Sequence, residues 1–131
     1  VLEYLEIEFE TDIPHDLPKL YLDPLKIRQV FLNILRNAQE SISHPHGIIR
    51  FRAESTTQYV HISVCDNGCG MTSSQKTRVF EPFITYKSGG TGLGLAVTRQ
   101  IIEAHHGSVE IESAPGSGST FHVYIPLDRD L

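Results

Sequence analysis

The chain has no tryptophan, one methionine and two cysteines in 131 residues. Cys65 and Cys69 stand four apart, with no further cysteine to complete a zinc site or build a disulfide scaffold. They read as reduced thiols of a reducing compartment. Long apolar runs are missing as well: nothing approaches the roughly 20 residues that cross a bilayer. The opening residues read as a strand rather than a signal peptide. There is no basic cluster either. Net charge is −5 with Lys and Arg scattered, so binding to nucleic acid through phosphate neutralisation is not expected. An anionic small molecule is still compatible with this charge, because local loop geometry outweighs the global balance.

What is present is ordinary. At 40% apolar and 21% charged, with no low-complexity tract, the composition fits one folded domain over residues 1–131. The strand-like start suggests a piece cut from a longer protein.

Along the chain, "VLEYLEIEFE" alternates as a first strand, and "PKLYLD" reads as a short second one. In "DPLKIRQVFLNILRNAQESI", Asp23 is placed to cap a helix and Pro24 suits its first turn. Ile27, Val30, Phe31, Ile34, Leu35, Ala38 and Ile42 follow helical spacing. "GIIRFRAES" and "QYVHISVCD" predict a hairpin around Thr56 and Thr57, with Val60, Ile62 and Val64 on one face. "SSQKTRVF" predicts a short helix, and a long aperiodic loop follows from Glu81. "LGLAVTRQIIEAHHG" predicts a second amphipathic helix closed by Gly107. "SVEIES" and "STFHVYIP" predict a last pair of strands around "APGSG". Hairpins interleaved with helices point to an α+β fold in two layers, a mixed sheet covered on one face by about three helices.

Three features carry chemistry. On the first long helix Gln29, Asn33, Asn37 and Glu40 fall in a band of roughly 80° beside the apolar stripe. Such a band is either a solvated face or a row of amides lining a pocket. An amide oxygen suits a magnesium ion held mainly by substrate phosphates and water. Second, Asp66 ends an apolar strand and opens "DNGCGM". This is either a tight turn started by Asp, or a carboxylate that accepts from a ligand amine while glycine backbone closes on a flat ring. Third, "TYKSGGTGLGLAV" sets Gly89, Gly90, Gly92 and Gly94 before a helix. It is no P-loop, because Lys87 and Ser88 precede the glycines, and no dinucleotide fingerprint, because the G-x-G-x-x-G spacing is absent. Its glycines still bring N–H groups and a helix start toward phosphate.

Taken in order, "NILRNAQESI", "DNGCGM", "RVFEPFITYK", "GGTGLGL" and "GSGSTF" resemble the five boxes of the ATP-binding catalytic domain of sensor histidine kinases. That superfamily also holds gyrase, Hsp90 and the mismatch-repair ATPase. "FEPFITYKSGGTGLGLAV" is most similar to the nitrogen-regulation type. The resemblance implies a Bergerat ATP-binding fold, ATP and Mg2+ as cofactors, and γ-phosphoryl transfer to a histidine. By that match Asn37 coordinates magnesium and Asn33 lies a turn earlier. Asp66 binds the adenine amine between Gly68 and Gly70, with Thr120 joining the set. Gly90, Thr91, Gly92, Leu93 and Gly94 form a lid over the phosphates, Lys87 lies near the γ-phosphate, and Asn33, Asn37 and Lys87 are the catalytic candidates. Phe80 and Phe83 match the aromatics that dock the lid.

Glu40 departs from the family, which often has lysine there; a carboxylate near a triphosphate is repulsive, so Glu40 is expected to point away. Ser41 removes any aromatic stacking partner at its position. Hydrolytic relatives carry glutamate where this chain has Asn33, and an amide is no general base near neutral pH. Transfer rather than fast hydrolysis is therefore expected. "PHDLPKL" makes His15 tempting as the acceptor, but Pro18 would break the helix that motif needs. The accepting histidine is expected before Val1, on a helical dimerisation domain of the same protein. The resemblance further implies a response regulator as downstream partner, a cytoplasmic location, no direct membrane contact, a monomeric fragment and a homodimeric parent. The alternatives are a serine-directed or non-catalytic regulatory module of the anti-sigma kind, or a gyrase-like ATPase; a well-formed F box and Asn33 oppose them.

Overall fold

A computed structural model describes residues 6–82 and 94–127. Among them, five strands form one mixed sheet in the order β1-β2-β3-β5-β4. The strands are β1 (Ile7–Asp12), β2 (Gly47–Ser55), β3 (Tyr59–Asp66), β4 (Ser108–Ser113) and β5 (Ser119–Pro126). β1 runs parallel to β2, and the other pairs are antiparallel. Three helices, α1 (Pro24–Ser41), α2 (Ser73–Arg78) and α3 (Gly94–Ala104), accompany it. The two-layer α+β architecture is therefore as expected.

α1 forms where its signals place it. The Asp23 side chain accepts from the Lys26 N–H at 3.2 Å, and Pro24 occupies the first turn. Val30, Ile34, Ala38 and Ile42, four apart, are buried against the sheet. From the sheet come Ile49, Val64, Phe121, Val123 and Ile125, and from α3 Ile101 and Ile102. Each fully buried aliphatic or aromatic side chain contributes about 1.5–3 kcal/mol.

"PKLYLD" is not a strand. Pro18 has no N–H to give a neighbour. Leu20 and Leu22 pack against the core instead, and the segment runs as a strap into the cap of α1. There the Asp23 N–H donates to His105 Nε2 at 3.0 Å, while His105 Nδ1 lies 2.8 Å from the Ile101 carbonyl. The tautomer follows: Nδ1 carries the hydrogen, and a neutral imidazole ties the end of α3 to the start of α1. His15 lies in an exposed turn, not a helix.

The end of α3 also departs from the expected glycine closure. The residue with positive φ is His106, at 63°, not Gly107. The N–H of His106 donates to Glu103 and that of Gly107 to Ile102, the bond pattern of a Schellman cap. Gly107 is needed for room: a methyl group there would stand 2.2 Å from the Tyr124 carbonyl oxygen.

The sheet face away from the helices is polar. Glu54, His61, His122 and Glu112 cross it in a line, with His61 Nε2 and His122 Nδ1 2.8 Å apart. His122 Nε2 is 2.7 Å from Glu112 but off the hydrogen-bond direction, so it counts as charge proximity only. The His61 ring stacks on Tyr124, whose phenol is pushed above its ordinary range by burial, with Glu110 adding to the effect.

Gly107→Ala is expected to cost about 1–3 kcal/mol through overpacking. His106→Gly should stabilise by up to about 1 kcal/mol by relieving a left-handed side chain. Urea unfolding of both variants checks the order, and a destabilised His106→Gly would contradict this account of the cap.

Candidate functional site

Asp66 ends β3 in the middle of the sheet and is 4% exposed. Its Oδ1 accepts from the Gly68 N–H at 2.9 Å, and the Ser41 hydroxyl lies 3.2 Å from the same oxygen. The turn after it is pressed against the end of α1: the Cys69 N–H donates to the Ser41 carbonyl at 2.9 Å. A methyl group on Gly68 would fall 2.4 Å from Ser41 Oγ. Gly70 has φ +70°, and a methyl group there would meet the Ala114 carbonyl at 2.0 Å. Both glycines of the motif are thus required by close approach, and the second by backbone conformation as well.

The opposing turn between β4 and β5 locks onto this one. Gly116 donates to the Cys69 carbonyl at 2.8 Å, and the Met71 N–H donates to Ser113 Oγ at 2.8 Å. Asn67 points the other way and fastens the α1–β2 connection. Its side chain accepts from the Ile48 N–H and donates to the His46 carbonyl, while His44 Nε2 bonds its backbone oxygen. Nothing in the sequence singled Asn67 out, because its partners are neither periodic nor adjacent.

Asn37 is half-buried on the flank of α1, one turn before Ser41. Asn33, a turn earlier, is committed elsewhere: its Nδ2 donates to the Gly94 carbonyl at 3.1 Å. The fully buried Thr98 hydroxyl also donates to that carbonyl, at 2.9 Å. The amide therefore clamps the first turn of α3 to α1. Gly94 lies directly beside it, with room to spare. Glu40 is exposed. Phe80 meets Phe121 edge-on, with Arg99 over its ring, so the F box is anchored in the core at that point. Lys87, Gly90, Thr91, Gly92, Leu93 and Phe83 lie outside the described residues.

Thr120 is not beside Asp66. Along β5 Ser119, Phe121, Val123 and Ile125 face the helices, and Thr120 falls on the open face opposite Cys65. Ser119 is the residue in register with Asp66; it is 5% exposed, and its Oγ lies 2.8 Å from Ser113 Oγ. Two-residue alternation counted back from Phe121 was the available signal.

Among the described residues no three His, Cys, Asp or Glu side chains could hold a metal between them. A magnesium ion that brings phosphate oxygens and water needs few protein ligands, and the neutral oxygen of Asn37 is chemically suited to be one.

The model of the family described as histidine kinase-, DNA gyrase B- and HSP90-like ATPase matches residues 22–129. Sporulation kinase E of Bacillus subtilis is 40% identical over 124 residues, which are 95% of this chain and 17% of that kinase. The chain thus spans about a sixth of that relative's length. Among solved structures, the catalytic domain of the histidine kinase ThkA superposes with a TM-score of 0.81 at 32% identity, covering 92% of this chain and 78% of that one. Full-length ShkA in complex with AMPPNP gives 0.81 at 28% identity, covering 95% and 27%.

Asn33→Ala should cost about 0.5–1.5 kcal/mol, the worth of one neutral hydrogen bond. Asn33→Asp should cost more, because it sets a carboxylate against the Gly94 carbonyl. Chemical denaturation orders the two, and equal stabilities would mean that the amide does not hold α3.

Proposed function

The chain belongs to the family of histidine kinase-, DNA gyrase B- and HSP90-like ATPases, and from that premise we propose that residues 1–131 form the ATP-binding catalytic domain of a two-component sensor histidine kinase. The observation that carries this is the buried Asp66, held at the end of β3 by Gly68 and by the same helix that presents Asn37 one turn away. A buried carboxylate is an acceptor and reads a donor such as the adenine amine. The amide at Asn33 favours transfer over hydrolysis, since it has no proton-accepting role and already bonds α3.

In this reading Asp66, Gly68, Gly70 and Ser119 enclose the base, Ser119 taking the place first given to Thr120. Asn37 offers an oxygen to Mg2+, which when bound neutralises charge on the phosphates. Gly90, Thr91, Gly92, Leu93 and Gly94 would bring backbone N–H groups to the phosphates, with Lys87 as the basic contact. Asn33 sets the starting point of α3 and so the end of that loop. Phosphoryl transfer requires positioning and charge stabilisation rather than covalent participation. The nucleophile would come from a histidine on a helical dimerisation domain of the same protein, and a response regulator would take the phosphate onward. Assignment to the nitrogen-regulation subgroup is likewise proposed, on the loop sequence alone. No helix among the described residues is long and apolar enough to cross a membrane. A cytoplasmic position is proposed separately, from the use of ATP as substrate.

Asn37→Ala should abolish magnesium-dependent phosphorylation of a supplied histidine domain, read as acid-labile phosphate. Phosphorylation at the normal rate would sink the assignment. Ser119→Ala should weaken ATP more than Thr120→Val does in a titration of both variants, and the reverse order would return Thr120 to the site.

A further inference from the structure

Ser41 stands where the family match offers no aromatic partner for the base, yet the structure gives it three contacts with the Asp66 turn. Its hydroxyl oxygen is 3.2 Å from Asp66 Oδ1. Its carbonyl accepts from the Cys69 N–H at 2.9 Å. Its side chain fills the space that any side chain at residue 68 would need. The hydroxyl has one proton and two acceptors within reach, the Ala38 carbonyl at 2.8 Å and Asp66 Oδ1. Both lie within hydrogen-bond distance, so the proton is open to donation to Asp66 as well as to the turn of α1 behind it.

The consequence is geometric. An aspartate side chain turns easily about its last bond, where the torsional wells are broad and two-fold. One donor on Oδ1 leaves the plane of the carboxylate loosely set. Two donors from different elements, the Gly68 N–H at 2.9 Å and the Ser41 hydroxyl at 3.2 Å, lie within hydrogen-bond reach of that oxygen and narrow the range of its plane. Gly68 belongs to the turn and Ser41 to α1, so the plane is set relative to the helix that carries Asn37.

We propose that Ser41 is a positioning residue for base recognition, holding Asp66 Oδ1 so that the carboxylate's other oxygen meets the 6-amino group of a purine nucleotide. This rests on the assignment of Asp66 to the base made above. A 6-amino purine presents a donor to that oxygen, whereas a 6-oxo purine presents an acceptor, which a fixed carboxylate repels. Preference for the amine therefore depends on how firmly the plane is held, and Ser41 contributes to selectivity without touching the ligand.

The test uses the 131-residue chain and three nucleotides: ATP, inosine triphosphate, and the triphosphate of purine riboside, which has hydrogen in place of the amine. Ser41→Ala should fold normally, since alanine is the better helix former. It should weaken ATP by about threefold to tenfold, the effect of losing one hydrogen bond. The purine riboside triphosphate should bind it as it binds the parent, so the gap between the two ligands narrows, and discrimination against inosine triphosphate should fall. Ser41→Thr, which restores a hydroxyl, should widen the gap again. Equal losses for ATP and the amine-free analogue, or no loss for either, would overturn the proposal. Asp66→Asn separates the two levels of inference. If it narrows the gap while Ser41→Ala does not, Asp66 reads the amine and Ser41 has no part in it. If Asp66→Asn leaves the gap intact, the assignment of Asp66 itself fails and the role of Ser41 with it.

Discussion

The rest of the structure depends on the rotational setting of α1. Val30, Ile34, Ala38 and Ile42 form one buried row, spaced four apart, against the sheet and α3. Asn33, Asn37 and Ser41 form a second row, offset from Ile34, Ala38 and Ile42 by a single residue. One residue is about 100° of rotation, so the two rows are rigidly linked. Turning the polar row elsewhere would expose side chains that each contribute about 1.5–3 kcal/mol. Burial of the apolar row therefore aims the polar one. Asn33 then reaches Gly94 at the start of α3, and Ser41 reaches Asp66 at the end of β3. Asn37 lies between them on the same flank.

A second constraint acts on the turn that follows Asp66. It is squeezed between the end of α1 and the β4–β5 turn, with carbonyls on both sides accepting its N–H groups or blocking side chains. Only glycine fits at residues 68 and 70, so the carboxylate is flanked by backbone. Asn67 ties the same turn to the start of β2. Three elements distant in sequence thus hold one carboxylate in place.

Much of this was legible because the signals are local or periodic. α1 has a cap, a proline and seven apolar positions in register. β3 and β5 alternate cleanly, and both hairpins are bounded by turn residues. Where sequence reasoning failed, a non-local partner decided the outcome. "PKLYLD" has strand-like alternation but joins no strand pair among the described residues, and its leucines are used as core anchors. Gly107 looked like the left-handed cap, yet a close carbonyl of β5 explains the glycine, and His106 takes the strained conformation. Thr120 and Ser119 differ by one residue, which on a strand means opposite faces. The partner of Asn33 lies 61 residues away, so no spacing rule could reveal that the amide was already committed.

That commitment bears on how a fold shared with ATP-hydrolysing relatives could serve transfer instead. A side chain that activates water must be both basic and near the phosphates. Asn33 is not basic, and its donor group is given to the backbone carbonyl of Gly94 at the start of α3. What it supplies is a fixed anchor for the helix on which the glycine loop ends. A bound triphosphate would then be held by one element with a settled terminus. Under the proposed chemistry this separates the two tasks. The domain orients the phosphates and leaves the attacking atom to a histidine that arrives from elsewhere, which keeps futile hydrolysis slow until that histidine is in line.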